Sequence, residues 1–126
     1  MDSDRYRVAV SAQSRYLPEH SDPEAPRYVF AYTIRLRNEG ALAARLMARH
    51  WIVTDADGRI EEVHGEGVVG QQPLLEPGEV FEYRSGAVLR TALGSMQGSY
   101  TLHASDGTRF EAPIAPFTLC VPRVLN

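Results

Sequence analysis

The chain contains no lysine: all 13 of its basic residues are arginine. Chemistry that needs a lysine is therefore excluded, including the phosphate-binding lysine of a P-loop and the nucleotide-contacting lysine of a protein kinase. A single cysteine, Cys120, rules out an intrachain disulfide and a multi-cysteine metal centre. Its neighbours in Phe117-Thr118-Leu119-Cys120-Val121 are apolar, which points to a packed thiol rather than a nucleophile. No apolar run approaches the roughly 18 residues of a membrane span, and the polar stretch Met1 to Arg5 lacks a signal-peptide core. Charge of one sign is also scarce. Against 16 acidic residues the net charge is −3, so no global field draws the chain to nucleic acid or to an anionic membrane. A cytoplasmic protein with a reduced thiol, and with neither a nucleic-acid nor a membrane partner, is expected.

What is present is enough for a core. A length of 126 residues with 44% hydrophobic content fits one domain over 1–126. Residues 5–16 alternate, with Tyr6, Val8, Val10 and Ala12 on one face, as a half-buried strand does. Pro18, Pro23 and Pro26 among charges make 17–26 a loop. Residues 27–37 give the clearest strand, with Tyr28, Phe30, Tyr32, Ile34 and Leu36 on the inner face. Asn38-Glu39-Gly40 reads as a turn built from residues that tolerate positive φ. Residues 41–48 favour helix locally, yet 45–54 reads as a strand because every neighbour is β, with Trp51 in the core. Asp55-Ala56-Asp57-Gly58 is a hairpin turn, and Arg59 to Val63 returns antiparallel. Val80 to Arg84 is a further strand. Residues 85–98, with Gly86, Gly94 and Gly98, read as connecting loops. Residues 98–104 alternate, Ser105-Asp106-Gly107 turns, and Pro113 and Pro116 demote 109–116 to an edge or bulged strand. The sum is an all-β chain, an immunoglobulin/fibronectin type III-like antiparallel β-sandwich of about seven or eight strands. Tyr100 is placed to serve as a tyrosine corner.

The one stretch that says more than fold is Gly65-Glu66-Gly67-Val68-Val69-Gly70-Gln71. Its glycines match the Gly-x-Gly-x-x-Gly spacing of a dinucleotide loop. That loop must close a strand and open a helix whose N–H groups hold the pyrophosphate. Here Pro73 and Pro77 stop any helix almost at once. Two readings follow. The glycines provide positive φ, a bulge or a close backbone passage. Alternatively, they bind: free N–H groups form an anion nest, or Val68-Val69 form an apolar tip for a partner. His20, His50, His64 and His103 lack ligand spacing, so no metal ligand set is assigned. Glu61-Glu62 and Asp55/Asp57 do not form an acid/base pair, and no Gly-x-Ser-x-Gly elbow is present. No catalytic residue and no cofactor is assigned, and an enzyme is not expected.

Several segments together carry a resemblance. They are Tyr28-Val29-Phe30-Ala31-Tyr32, Asn38-Glu39-Gly40, Arg49-His50-Trp51-Ile52-Val53-Thr54-Asp55, and Val63 through Pro73. Leu75-Glu76-Pro77-Gly78-Glu79, Gly94-Ser95-Met96-Gln97-Gly98-Ser99-Tyr100 and Phe117-Thr118-Leu119 complete the set. In these the chain resembles the bacterial ApaG family, from about Tyr6 to Val121. The resemblance implies a fibronectin type III or immunoglobulin-like sandwich. It implies a protein-interaction role, because similar domains in some F-box proteins and in a polymerase-delta-interacting protein look like interaction modules. It also implies a genetic link to cobalt and magnesium handling. The resulting expectation is a non-enzymatic protein-interaction module that contacts its partner through Gly65, Glu66, Gly67, Val68, Val69, Gly70 and Gln71. The alternative is a small-ligand binder for pyrophosphate, a nucleotide or a divalent cation at the same loop, with Arg49 or Arg59 converging on the glycine N–H groups.

Overall fold

The computed structural model describes residues 4–122. Eight strands run in chain order: β1 (Val8–Tyr16), β2 (Tyr28–Asn38), β3 (Ala44–Asp55), β4 (Ile60–Glu66), β5 (Leu74–Leu75), β6 (Val80–Leu89), β7 (Leu93–Ala104) and β8 (Arg109–Cys120). They form two antiparallel sheets. One is ordered β1-β2-β6; the other is ordered β4-β3-β7-β8, with β5 also paired to β3. The architecture is the expected antiparallel sandwich.

Alternation decides which residues fill the space between the sheets. Phe30, Tyr32, Ile34 and Leu36 of β2 face Trp51, Met96, Tyr100, Leu102, Ile114 and Leu119 of the second sheet, and all are buried. Trp51 meets Tyr32, Tyr100 and Phe117 edge-on, with ring centroids 5.4, 6.3 and 5.9 Å away. Aromatic rings favour that geometry over a flat sandwich. β3 forms despite its helix-favouring start because Ala44, Leu46 and Trp51 gain burial only as strand residues.

Four features depart from the sequence reading. First, 85–98 is not loop. β6 continues to Leu89 and β7 starts at Leu93, so Gly86, Gly94 and Gly98 lie inside strands. Gly98 is required by proximity: a Cβ there would collide with the His50 carbonyl oxygen of the paired strand β3. Second, Asn38 does not use positive φ. It is the buried last residue of β2, and its amide ties a knot. Asn38 Nδ2 donates to the carbonyls of Leu42 and Leu75 at 2.9 and 2.8 Å, and Oδ1 accepts from the Gly40 N–H at 2.9 Å. Third, Cys120 is exposed, because alternation along β8 turns Leu119 inward and Cys120 outward. Fourth, Tyr100 is no tyrosine corner. Its hydroxyl bonds across the sandwich to the Tyr83 hydroxyl. Burial pushes both phenols well above the ordinary tyrosine range, so both stay neutral.

That pair is a buried hydroxyl–hydroxyl link between the two sheets. Tyr100→Phe leaves the Tyr83 hydroxyl buried without a partner and should cost about 1–3 kcal/mol. Tyr83→Phe should cost a similar amount, and the double variant less than the two together. Urea denaturation of the four proteins measures the coupling; additive losses would refute the link.

Candidate functional site

The glycine segment owes its shape to the edge of β3. β7 pairs along the whole of β3, so β4 and β5 must share the other edge. β4 leaves that edge after Glu66, opposite Ala48, and β5 rejoins it at Leu74 and Leu75, opposite Arg45 and Ala44. The residues between form a compact excursion stitched back to β3. The Gly67 N–H donates to the Met47 carbonyl at 2.8 Å, Gln72 Nε2 donates to the same carbonyl at 3.0 Å, and the Leu46 N–H donates to Pro73 at 3.0 Å. Within it, Val68 and Gln71 exchange both backbone hydrogen bonds, at 2.8 and 2.9 Å. The two residues they enclose, Val69 and Gly70, have φ of 43° and 78°. Two successive positive φ values in a two-residue loop are the signature of a type I′ turn.

Arg49 braces this turn from inside. Its Nη1 donates to the carbonyls of Glu66 and Gly67 at 3.0 and 2.9 Å. Gly65 is the pairing partner of Arg49, and a Cβ on it would lie 2.6 Å from the guanidinium carbon. Gly67 has φ 63°, and a Cβ there would collide with the Gln71 carbonyl.

The expected site residues therefore separate. Gly65 and Glu66 end β4, and Gly67, Val69, Gly70 and Gln71 make the turn. Val68 is fully buried in the core, so the supposed Val68-Val69 tip is Val69 alone, 53% exposed. The N–H groups of Gly67, Val68 and Gln71 are spent on protein carbonyls. Arg49 converges on the segment as anticipated, but on its carbonyls rather than its N–H groups. An anion nest needs those donors free.

The turn forms one end of something larger. The sandwich is closed where β1 packs along β8, with Ser14 Oγ donating to the Thr118 carbonyl at 2.7 Å. On the opposite side, β4 and β6 are both sheet edges, and a cleft opens between them. Its centre, about 370 Å³, has Tyr32, Trp51, Val63 and Met96 as an apolar floor. Small side chains at Ser85, Gly86 and Ala87 leave the gap unfilled on the β6 side. One continuation, sharing Tyr32, Arg49 and Ser85, ends at Val69 and Gly70. The other, sharing Val53, Glu61 and Val88, ends at Arg59 and Arg90. Arg59 therefore stands at the far end from the glycines. Ile60, Val69 and Val88, exposed by 66, 53 and 50%, line this one cleft. The floor holds an unmet polar group: among the described residues, Trp51 Nε1 has no hydrogen-bond partner.

A second constellation lies on the outer face of the larger sheet. His50 of β3 pairs directly with His64 of β4, and their rings stack with centroids 4.2 Å apart. Glu62 Oε2 lies 3.0 Å from His50 Nε2 and 3.6 Å from His64 Nε2. The hydrogen bond from His50 is the chief reason the Glu62 carboxyl sits below its ordinary range. Linear spacing hides this group because its members come from two strands. The hairpin turn does reveal it: counting five residues outward from the Asp55–Arg59 closing bond, made at 3.0 Å, sets His50 opposite His64.

Comparison with known proteins agrees on one family. A family model described as the ApaG domain matches residues 18–104. A protein named ApaG from Azoarcus sp. (strain BH72) is 57% identical over 124 residues, covering 98% of each chain. One from Xanthomonas campestris pv. campestris (strain B100) is 58% identical over 125 residues, covering 99% of this chain and 98% of the relative. A crystal structure of a protein described as ApaA from Bordetella pertussis superposes with a TM-score of 0.92 at 52% identity, covering 96% of this chain and 98% of that one.

The turn geometry makes an ordered prediction. Gly70→Ala meets open space and should cost only the left-handed strain, about 1–2 kcal/mol. Gly67→Ala adds a backbone collision and should cost more. Val69→Asn, which puts a residue suited to a type I′ turn at a strained β-branched position, should gain up to about 1 kcal/mol. Thermal unfolding of the three variants checks the order.

Proposed function

The chain belongs to the ApaG domain family, and on that premise we propose that it is a non-catalytic interaction module whose cleft between β4 and β6 receives an extended segment of a partner protein. The observation that carries this reading is the pair of unpaired strand edges facing each other across an apolar floor. An edge strand leaves alternate N–H and C=O groups without partners, a ready template for an added strand. Exposed β-branched side chains along the cleft supply contact for alternate side chains of such a segment. Val69 fits the same reading. A valine held at φ 43° costs stability that asparagine or glycine would not. Backbone strain at an exposed apolar residue is common where a surface is used rather than merely folded. In this reading the glycine turn forms one wall of the site rather than its centre. The small-ligand alternative is weaker for phosphates, since the N–H groups of Gly67, Val68 and Gln71 are already engaged.

Random peptides selected on the protein and titrated into labelled protein provide the test. The amides of Ser85 to Val88 and the Trp51 indole N–H should shift together. Val88→Asp, at an exposed position, should weaken binding about tenfold, equivalent to roughly 1.4 kcal/mol. Peptides that map to β8, or affinity indifferent to Val88→Asp, would overturn the assignment, as would a failure to select any binder.

A further inference from the structure

We propose that His50, Glu62 and His64 form a binding site for a single borderline divalent transition-metal ion of the Zn²⁺ class. The inference does not rest on the cleft, which lies on the opposite face of β3 and β4. Two observations carry it. First, one donor atom from each residue lies within 4.8 Å of the other two. A tetrahedral ion about 2.0–2.1 Å from each donor holds them roughly 3.3 Å apart. The measured separations from Glu62 Oε2, 3.0 Å to His50 and 3.6 Å to His64, bracket that span. Second, the donors sit on strands rather than loops. His50 and His64 are direct cross-strand partners, and Glu62 is two residues from His64, on the same face. The reverse of this hairpin is anchored by buried Trp51, paired with Val63. Ligands on packed strands are held more rigidly than ligands on loops. The two rings stack parallel to within 8°, with centroids 4.2 Å apart, so binding requires one ring to turn until both lone pairs converge on the ion.

The donor set selects the ion. Two imidazoles and one carboxylate suit Zn²⁺, Ni²⁺ or Cu²⁺, whereas Mg²⁺ demands oxygen ligands and keeps its water. Three protein donors leave a position for water. That position has room, since a recess of about 470 Å³ lined by Ser99, Thr101, Arg109 and Glu111 adjoins both histidines. Proton bookkeeping is simple for neutral imidazoles. A ring that donates its Nε2–H to Glu62 has no free lone pair there, so to ligate through Nε2 it must carry its N–H on Nδ1 instead, with no net proton released.

Calorimetric titration with Zn²⁺, and separately with Mg²⁺, tests the site. One Zn²⁺ should bind saturably and Mg²⁺ should not. His64→Ala and Glu62→Gln, both at exposed positions, should each weaken Zn²⁺ binding by more than the roughly 10–100-fold cost of losing an outer-shell partner. His103→Ala, which removes a histidine outside the cluster, should change nothing. Imidazole ¹⁵N spectra give an independent readout: His50 and His64 should both become Nδ1–H tautomers with Zn²⁺. No saturable Zn²⁺ binding, binding that survives His64→Ala, or unchanged ring tautomers would overturn the proposal.

Discussion

One edge of β3 has to receive two strands in succession, and much of the surface follows from that. β4 holds the edge from Ala48 to Thr54, β5 holds it at Ala44 and Arg45, and the chain must leave and return between them. The departure is possible because Gly67 lets the backbone turn left-handed against the Gln71 carbonyl. The return is secured by Met47 and Pro73 carbonyls bonded across to the opposing segment. Arg49 fills the space beneath, replacing the strand partners that the Glu66 and Gly67 carbonyls would otherwise lack. A glycine spacing associated with phosphate loops arises here from a different need. It lets an edge strand be interrupted without leaving buried polar groups unpaired.

The same edge geometry creates the cleft. A sandwich with β1 against β8 on one side needs bulky inward residues on the other side to close there too. At Ser85, Gly86 and Ala87 the chain supplies small ones, so a gap remains between the two edges above the buried Tyr32, Trp51 and Met96. Aromatic packing nevertheless keeps that floor rigid, because Trp51 is held edge-on by three rings. β3 thus presents two different surfaces. Its inward residues support the apolar cleft, and its outward His50 meets His64 and Glu62 over a polar face.

The sequence shows most of the fold. Period-two alternation in β1 and β2, the Asp-x-Asp-Gly and Ser-Asp-Gly turns, and prolines on the edge strand β8 each have local causes, so each could be read without the partner strand. The residues that misled are those whose reason is non-local. Gly94 and Gly98 look like loop punctuation, but they are strand residues forced small by a neighbouring backbone. Asn38 looks like a turn former, but its amide bonds to Leu75, 37 residues away. Val68 and Val69 look like one apolar pair, yet the turn between β4 and β5 sends the first into the core and the second to the surface.

By itself the sequence determined the class of fold, the family, and the exclusion of lysine, disulfide and P-loop chemistry, because composition and short-range periodicity are local properties of a chain. Tertiary structure alone decided how the glycine segment is held, that β4 and β6 stand apart to leave a cleft, and that two histidines and a glutamate converge. Those outcomes depend on strand order and register, which bring together residues that no spacing along the chain connects.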